Sequence, residues 1–279
     1  MEILSGMAEQ LVGHVEALWR YPVKSMLGEQ PPQVDVTAGG ICGDRAYALW
    51  DHATQRVASA KNPLVWKALL HFRAQFLSPP QPGEPMPPVA IAGRETAAPL
   101  HSGDSGIDAA LTGLMGRQVS LLNQAPAGAS LDQYWPDVKE RQFQNVVNEL
   151  PLPEGTFFDA CPIHALTTAT LEELRRREPQ LDFAVERFRP NLLIRPSGPA
   201  EGFVEEAWSG HTLRLGREVL LRVDGGCPRC VVTTLAQGDL PQEIEILRAT
   251  ARHNQVVAGM RLSVLQPGSV ALGDPVLLC

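Results

Sequence analysis

The strongest chemical feature of the sequence is a pair of thiols at CxxC spacing, Cys227 and Cys230, with Arg229 between them. Thiolates bind soft metal ions and act as redox groups. A thioredoxin-like pair needs its first cysteine at the start of a helix, whereas the β-branched run at 231–234 favours a strand. A redox pair, a metal site and thiols that only pack in the interior all stay open on this evidence.

A zinc site is a specific form of the metal hypothesis. Cys161 and His164 form a CxxH that would complete a set of four ligands with Cys227 and Cys230. No glycines flank Cys161, and a predicted helix follows soon after. A zinc-stabilised binding module would need all four side chains, so loss of His164 alone would unfold it.

Basic residues occur beside strand ends at three further places. Arg189 and Asn191 precede the apolar run 192–194, Lys24 and Ser25 follow Pro22, and Arg45 follows Asp44. Arginine offers forked donors to a phosphate or a planar heterocycle, which lysine cannot match. Each place taken alone also fits an ordinary surface role.

The elements that must position these groups are mostly short strands. A period of two predicts a strand at 12–19 and another at 34–37, and 45–60 resembles a hairpin about a turn at 51–55. Further strands are predicted at 192–194, 213–215, 219–223, 231–235, 262–265 and 270–272. Many short strands with few helices indicate a β-barrel or a sandwich.

Helices and loops complete the prediction. Helices are expected at 63–72, after a Ser105 cap up to Gly116, and after a capping box formed by Thr170 and Glu173. Six prolines at 79–88 predict a stiff loop, and 125–145 a long connection. The fold class is α+β, mainly β, with domains at 12–130 and 131–279.

Composition limits the function classes. The chain has 279 residues, a net charge of −7 and no apolar run long enough to span a membrane, so neither a nucleic-acid nor a membrane partner is expected. Its first residues, MEILSGMAEQ, lack the features of an export signal. Five cysteines do not suggest a disulfide framework. We expect a soluble cytoplasmic protein with reduced thiols.

Taken together, the motifs closely resemble one family. The segments are YPVKS at 21–25, GDRAYAL at 43–49, RFRPNLLI at 187–194, CPRCVVTT at 227–234 and PGSVALGDPVLL at 267–278. In this order they resemble the MOSC family with its N-terminal β-barrel domain, and within it the amidoxime-reducing component type. The resemblance extends from about residue 12 to the C-terminus and implies a MOSC β-barrel with a few peripheral helices.

The resemblance also implies a bound molybdenum cofactor (molybdopterin) and assigns roles to residues. Cys230 matches the thiolate ligand of molybdenum and is the catalytic position, while Cys227 matches a variable one. The expected cofactor-binding residues are Lys24, Ser25, Arg45, Cys161, Arg189, Asn191, Pro228, Arg229 and Cys230. Pro228 replaces a small polar residue of the family, and Arg261 stands where human-type members carry a tyrosine.

The implied activity is reduction of N-hydroxylated substrates such as amidoximes or hydroxylamino-purines. No iron–sulfur segment with CxxxxC spacing follows Cys230, so a separate protein is expected to donate the electrons. Lys61, Asn62, Tyr134, Trp135 and His164 are candidates for lining the substrate cavity. The alternative is a carrier of the cofactor or of sulfur without reductase turnover, which would expose Cys230 and need no cavity.

Overall fold

The computed structural model describes residues 9–136 and 145–279. Residues 1–8, which belong to the stretch where no export signal is expected, lie outside this range. The same is true of part of the predicted connection at 125–145. The strands are β1 (Gln10–Leu18), β2 (Gln33–Thr37), β3 (Gly40–Ile41), β4 (Ala48–Asp51), β5 (Arg56–Val57), β6 (Phe72–Phe76), β7 (Val89–Gly93), β8 (Leu100–His101), β9 (Val119–Leu122), β10 (Ser130–Trp135), β11 (Val146–Pro151), β12 (Ile163–Thr167), β13 (Leu192–Pro196), β14 (Thr212–Leu215), β15 (Val219–Pro228), β16 (Val257–Gln266), β17 (Gly268–Ala271) and β18 (Pro275–Leu278). The helices are α1 (Pro63–Trp66), α2 (Ile107–Met115), α3 (Thr168–Arg177), α4 (Val185–Phe188) and α5 (Glu245–Asn254), with 3-10 turns at Lys67–His71, Val204–Trp208 and Val231–Thr234.

A closed barrel forms the centre of the fold, in the strand order β1-β13-β12-β16-β15-β14-β18. β12 and β13 are parallel, and the other neighbours are antiparallel. Alternate residues of these strands, such as Val219, Leu221 and Val223, point inwards and are buried in one apolar core. The mainly β fold with a barrel and few helices is confirmed.

Smaller sheets pack around a second apolar core that includes Val23, Leu49, Phe72 and Ile91. Their strand orders are β17-β2-β3, β5-β4-β9 and β6-β7-β8, with the separate pair β10-β11. Pairings join early and late parts of the chain, because β1 lies in the barrel and β17 pairs with β2. The division into 12–130 and 131–279 stays a prediction.

Two segments differ from the predicted secondary structure where it matters for the site. The run 231–234, predicted as a strand, is a 3-10 turn because the Thr233 backbone N–H and side-chain hydroxyl both donate to the Cys230 carbonyl, at 3.2 and 3.0 Å. The predicted connection contains β10, whose residues pair with β11 from Ser130↔Pro151 to Trp135↔Val146.

The helix boundaries also differ from prediction. Thr167, rather than Thr170, caps α3 by accepting the Thr170 backbone N–H, and Glu173 binds Arg176 and Arg177. Gly106 replaces Ser105 as the N-cap of α2, without a side-chain hydrogen bond. The expected helix 63–72 is one turn of α-helix followed by a 3-10 turn. In the described residues, no helix is both long and apolar enough to cross a membrane.

Candidate functional site

A cavity of about 390 Å³ lies where the barrel meets the segments that follow β1 and β3. The predicted cofactor-binding residues all line it: Lys24, Ser25, Arg45, Cys161, Arg189, Asn191, Pro228, Arg229 and Cys230. Among the predicted cavity candidates, Lys61, Trp135 and His164 line it, whereas Asn62 and Tyr134 do not. Residues that are far apart in the sequence therefore meet at one site.

The end of β15 brings the two CxxC cysteines to the cavity. Its pairing with β16 shifts register between Val223 and Gly225 and again between Gly226 and Pro228. Such bulges bend a strand and redirect its side chains. The Arg229 backbone N–H then donates to the Val256 carbonyl at 2.8 Å, and the turn after Cys230 fixes that residue's carbonyl.

The Arg229 guanidinium connects three parts of the site. Its Nη1 contacts the Cys227 Sγ at 2.9 Å and the His164 Nε2 at 3.1 Å, while Nη2 donates to the Phe188 carbonyl at 2.6 Å. The same Nε2 lies 3.3 Å from the Ala258 carbonyl, so the tautomer of His164 decides whether Nε2 accepts from Arg229 or donates to Ala258. Burial is the main cause that holds the pKa of His164 well below 6.5, and the nearby Arg229 charge is the second. His164 is therefore neutral in this structure.

Two arginines from distant segments stack on one aromatic ring. The guanidinium carbons of Arg45 and Arg189 lie 4.7 and 4.2 Å from the centroid of the buried Tyr21 ring. Arg189 Nη2 donates to the Met26 carbonyl at 2.8 Å, whereas its buried Nη1 has no hydrogen-bond partner among the described residues. Burial lowers the pKa of Arg189 to about 10. An unpartnered donor on a buried cation favours an anionic ligand.

Asn191 joins the barrel to the segment that carries Arg45. Its Nδ2 donates to Asp44 Oδ2 at 3.0 Å, and its Oδ1 accepts the His164 backbone N–H at 3.1 Å. Asp44 also forms an ion pair with Arg45 and accepts the Tyr21 backbone N–H. These bonds fix Arg45 relative to β12 and β13.

Three lining residues have backbone conformations that are uncommon for side chains with a Cβ. Ser25, Arg45 and Arg189 have φ values of 65°, 49° and 50°. Strain of this kind persists only where surrounding contacts hold it, and it is frequent at binding sites. Here the Arg45 N–H donates to the Tyr21 carbonyl at 2.7 Å, and the Ser25 Oγ accepts the Ala60 N–H at 3.0 Å.

Lys24, Asp159 and Lys61 form a charged group on the cavity wall. Lys24 Nζ contacts Asp159 Oδ1 at 2.5 Å and the Phe157 carbonyl at 2.5 Å, and Lys61 Nζ lies 3.2 Å from Asp159 Oδ2. Burial would raise the pKa of Asp159, but the two lysines hold it well below its usual range. Burial lowers the pKa of Lys24, while the pKa of Lys61 is raised because Asp159 outweighs burial.

The predicted zinc ligands are not arranged as a metal site. Within residues 9–136 and 145–279, no group of three or more His, Cys, Asp or Glu side chains could hold a metal ion. His164 Nε2 already contacts the Arg229 guanidinium and the Ala258 carbonyl, and burial raises the pKa of Cys161 to about 12, which disfavours a thiolate there. This arrangement argues against the zinc module.

Some lining residues were not identified from the sequence. They are Ser59, Gln133, Leu150, Phe158, Asp159, Ala160, Phe188 and Val232. Asp159 stands two residues before Cys161, and this proximity was the only signal for it. Gln133 gave no signal because it lies in the segment 125–145 that was predicted as a connection, and Leu150 follows that segment without a motif of its own.

Comparison with known proteins agrees with the fold. The MOSC domain model matches residues 153–277, and the MOSC N-terminal beta barrel domain model matches 12–98. The mitochondrial amidoxime reducing component 2 of Rattus norvegicus is 27% identical over 96% of this chain and 83% of its own length. Its counterpart in Homo sapiens is 26% identical over 96% and 84%. The crystal structure of the YUAD protein from Bacillus subtilis aligns with 97% of this chain and 98% of its own, at 13% identity and a TM-score of 0.49.

The two family models follow one another in the order that the motifs predict, and between them they match most of the chain. The relatives are similar along nearly its full length. The chain therefore belongs to the MOSC family, with a MOSC N-terminal β-barrel domain followed by a MOSC domain.

Proposed function

We propose that the protein is a molybdenum cofactor-dependent oxidoreductase that reduces N-hydroxylated compounds with electrons from a separate protein. The observation that carries the proposal is that Cys230 and Arg189 line one cavity, and that the buried Arg189 Nη1 has no hydrogen-bond partner within residues 9–136 and 145–279. A thiolate suits a soft metal, and a guanidinium suits the phosphate of a pterin. The names of the amidoxime reducing component relatives add support.

The donor set fits a cofactor that brings its own metal. A bare ion would need several protein ligands, and the described residues offer no such group. Molybdopterin already holds molybdenum through a dithiolene, so one protein thiolate, Cys230, completes the attachment. When bound, the cofactor supplies two-electron reduction with removal of an oxygen atom.

The other proposed cofactor contacts hold and orient the group. Lys24, Ser25 and Arg45 contribute from the segments that follow β1 and β3, and Arg189, Asn191 and Arg229 from the segments that precede β13 and follow β15. The stacking on Tyr21, the Arg45–Asp44 ion pair and the bond from Arg189 to the Met26 carbonyl restrict the rotation of both arginines, so little rotamer entropy remains to be lost on binding. Cys161 and Pro228 contribute shape at the rim of the same cavity.

The cavity favours a reductase over the alternative, a cofactor or sulfur carrier. A carrier needs an accessible thiol but no substrate cavity, whereas Cys230 is only partly exposed and lines a volume of about 390 Å³. That volume is within the usual range for small-molecule sites, about 300–1,000 Å³. The electron donor and the cytoplasmic location stay predictions.

Metal and pterin analysis tests the proposal. Wild type, Cys230→Ala and Cys227→Ala would be purified from a host that makes the cofactor. We expect about one molybdenum and one pterin per wild-type chain, retention in Cys227→Ala, and loss of the metal or a changed spectrum in Cys230→Ala. Stoichiometric zinc without pterin would refute the proposal, as would a metal-loaded protein unable to reduce benzamidoxime with reduced methyl viologen.

A further inference from the structure

Arg261 lines the cavity but has no part in the proposed cofactor site. It lies on β16, where the register places it opposite His164 of β12 and Gly225 of β15. Its neighbours along the strand, Met260 and Leu262, are buried in the barrel core. Because side chains alternate along a strand, Arg261 lies on the outer face of the barrel, and this face is turned to the cavity.

A hydrogen bond and a glycine together determine where the Arg261 guanidinium lies. Its Nε donates to the Gly226 carbonyl at 3.1 Å. Gly225 has a φ of +122°, and a Cβ there would lie 3.9 Å from Arg261 Nη2. The guanidinium therefore lies across the bulged end of β15, just before Cys230 in the chain.

The outer edge of this guanidinium has unused donors. Nη1 and Nη2 have no hydrogen-bond or ion-pair partner within residues 9–136 and 145–279, and neither nitrogen is fully buried. Among the described residues, Asp159 is the one carboxylate that lines the cavity, and it already binds Lys24 and Lys61. Arg261 can therefore bind an anionic group of a molecule in the cavity without first breaking an ion pair.

The position of Arg261 differs from that of the arginines proposed to hold the pterin phosphate. Arg45 and Arg189 stack on the Tyr21 ring, away from the barrel strands that carry Arg261. Arg261 instead lies over the strand end that leads to Cys230, the proposed ligand of the metal. Since the substrate must react at that metal, the free edge of Arg261 is better placed for the substrate than for the phosphate.

We propose that Arg261 binds a carboxylate of the substrate and so directs the enzyme towards anionic N-hydroxylated compounds. This inference rests on the proposed function, because it adds a substrate class to the same cavity. With Nε engaged, one edge of the guanidinium remains, and its two parallel donors match the two oxygens of a planar carboxylate. The enzyme should therefore discriminate between a carboxylate and its neutral ester.

Two substrates isolate this charge, para-carboxybenzamidoxime and its methyl ester, because they share the ring and the N-hydroxylated group. Wild type should reduce the acid with a kcat/KM about 10-fold higher than the ester. Arg261→Gln should remove this advantage by lowering kcat/KM for the acid alone. Arg261→Lys retains the charge without the fork and should recover only part of the advantage. Arg222→Gln is the matched control, since Arg222 lies on β15, pairs with Asp224 and does not line the cavity.

Binding of the reduction products gives a readout that does not depend on turnover. In calorimetry, the cofactor-loaded wild type should bind para-carboxybenzamidine about 10-fold more tightly than its methyl ester. Arg261→Gln should bind the two products equally, and Arg222→Gln should retain the difference. The pterin content of each variant is measured on the same samples and should equal that of wild type.

Three results would overturn the inference. If the protein reduces both substrates but Arg261→Gln lowers them by one common factor, Arg261 does not bind the carboxylate and the proposed function stands. Loss of pterin from Arg261→Gln would show that Arg261 holds the cofactor instead. A wild type that reduces or binds the ester as well as the acid has no carboxylate site. If neither compound is reduced yet para-carboxybenzamidine binds through Arg261, the proposed function fails and the carboxylate site stands.

Discussion

Replacing His164 by Gln should make the stability of the protein less sensitive to acid. His164 is 6% exposed and its Nε2 faces Arg229 Nη1 at 3.1 Å, so the folded protein resists protonating it. The unfolded chain takes up that proton near pH 6.5. Below this pH the unfolded state binds more protons than the folded state, and stability falls as the pH falls.

The size of the effect follows from proton linkage. Each pH unit below the unfolded pKa costs about 1.4 kcal/mol while the folded residue stays neutral, so wild type loses about 1.3 kcal/mol between about pH 7 and about pH 5.5 from this residue alone. Gln does not titrate and retains an oxygen that can accept from Arg229. His164→Gln should lack this loss, and His211→Gln, at an exposed position, should keep it.

Urea unfolding of the three proteins at both pH values measures the difference directly. Other titrating groups contribute equally to wild type and variant, so they cancel in the comparison. Equal pH dependence in wild type and His164→Gln would refute the argument that His164 is held neutral. The same variant tests the zinc module, which requires His164 as a ligand and predicts unfolding at every pH.

Three further substitutions have expected outcomes that can be measured. Arg187→Leu should destabilise the protein by about 3 kcal/mol or more in urea unfolding, because the 1% exposed Arg187 donates to the Asp182 and Pro241 carbonyls at 3.0 Å. Arg187→Lys should restore only part of the lost stability. Gly259→Ala should cost about 2 kcal/mol or more by the same assay, since its φ is +82° and a Cβ would lie 2.4 Å from the Ala165 carbonyl oxygen. Arg56→Gln should change global stability by less than about 1 kcal/mol but increase hydrogen exchange in β10, because its ion pairs are partly exposed.

Much of the barrel could be predicted because its strands obey a simple pattern. β13, β14 and β17 coincide within two residues with predicted runs of alternating or apolar residues. β15 and β16 extend further than predicted, since Gly225 and Gly226 look like a turn but form a bulged strand end. The pairing partners could not be predicted, because β1 meets β13 and β18 only after the barrel closes.

The site shows a different limit. The run 231–234 has strand propensity, yet hydrogen bonds from Thr233 to the Cys230 carbonyl turn the chain. Propensity is a weak signal that such local bonds override. The hairpin of β10 and β11 was missed because its sequence alternates only weakly. Its stability comes more from tertiary packing through Leu131. The motifs contain many of the residues that line the cavity, whereas Asp159 and Gln133 became recognisable only from their spatial neighbours.

Net charge and site charge have opposite signs in this protein. The chain carries a net charge of −7, yet Lys24, Lys61, Arg45, Arg189, Arg229 and Arg261 line the cavity, with Asp159 as the acidic side chain among them. Salt weakens the interaction of a charged ligand with nearby cavity residues less than its interaction with distant surface acids. The charges in the cavity therefore determine which ligands bind. Asp159 offsets the two lysines, whereas Arg189 retains a buried donor that has no hydrogen-bond partner in the described part of the chain. An anionic group would therefore be held first at the arginines, on the side of the cavity that Asn191 and Tyr21 fix.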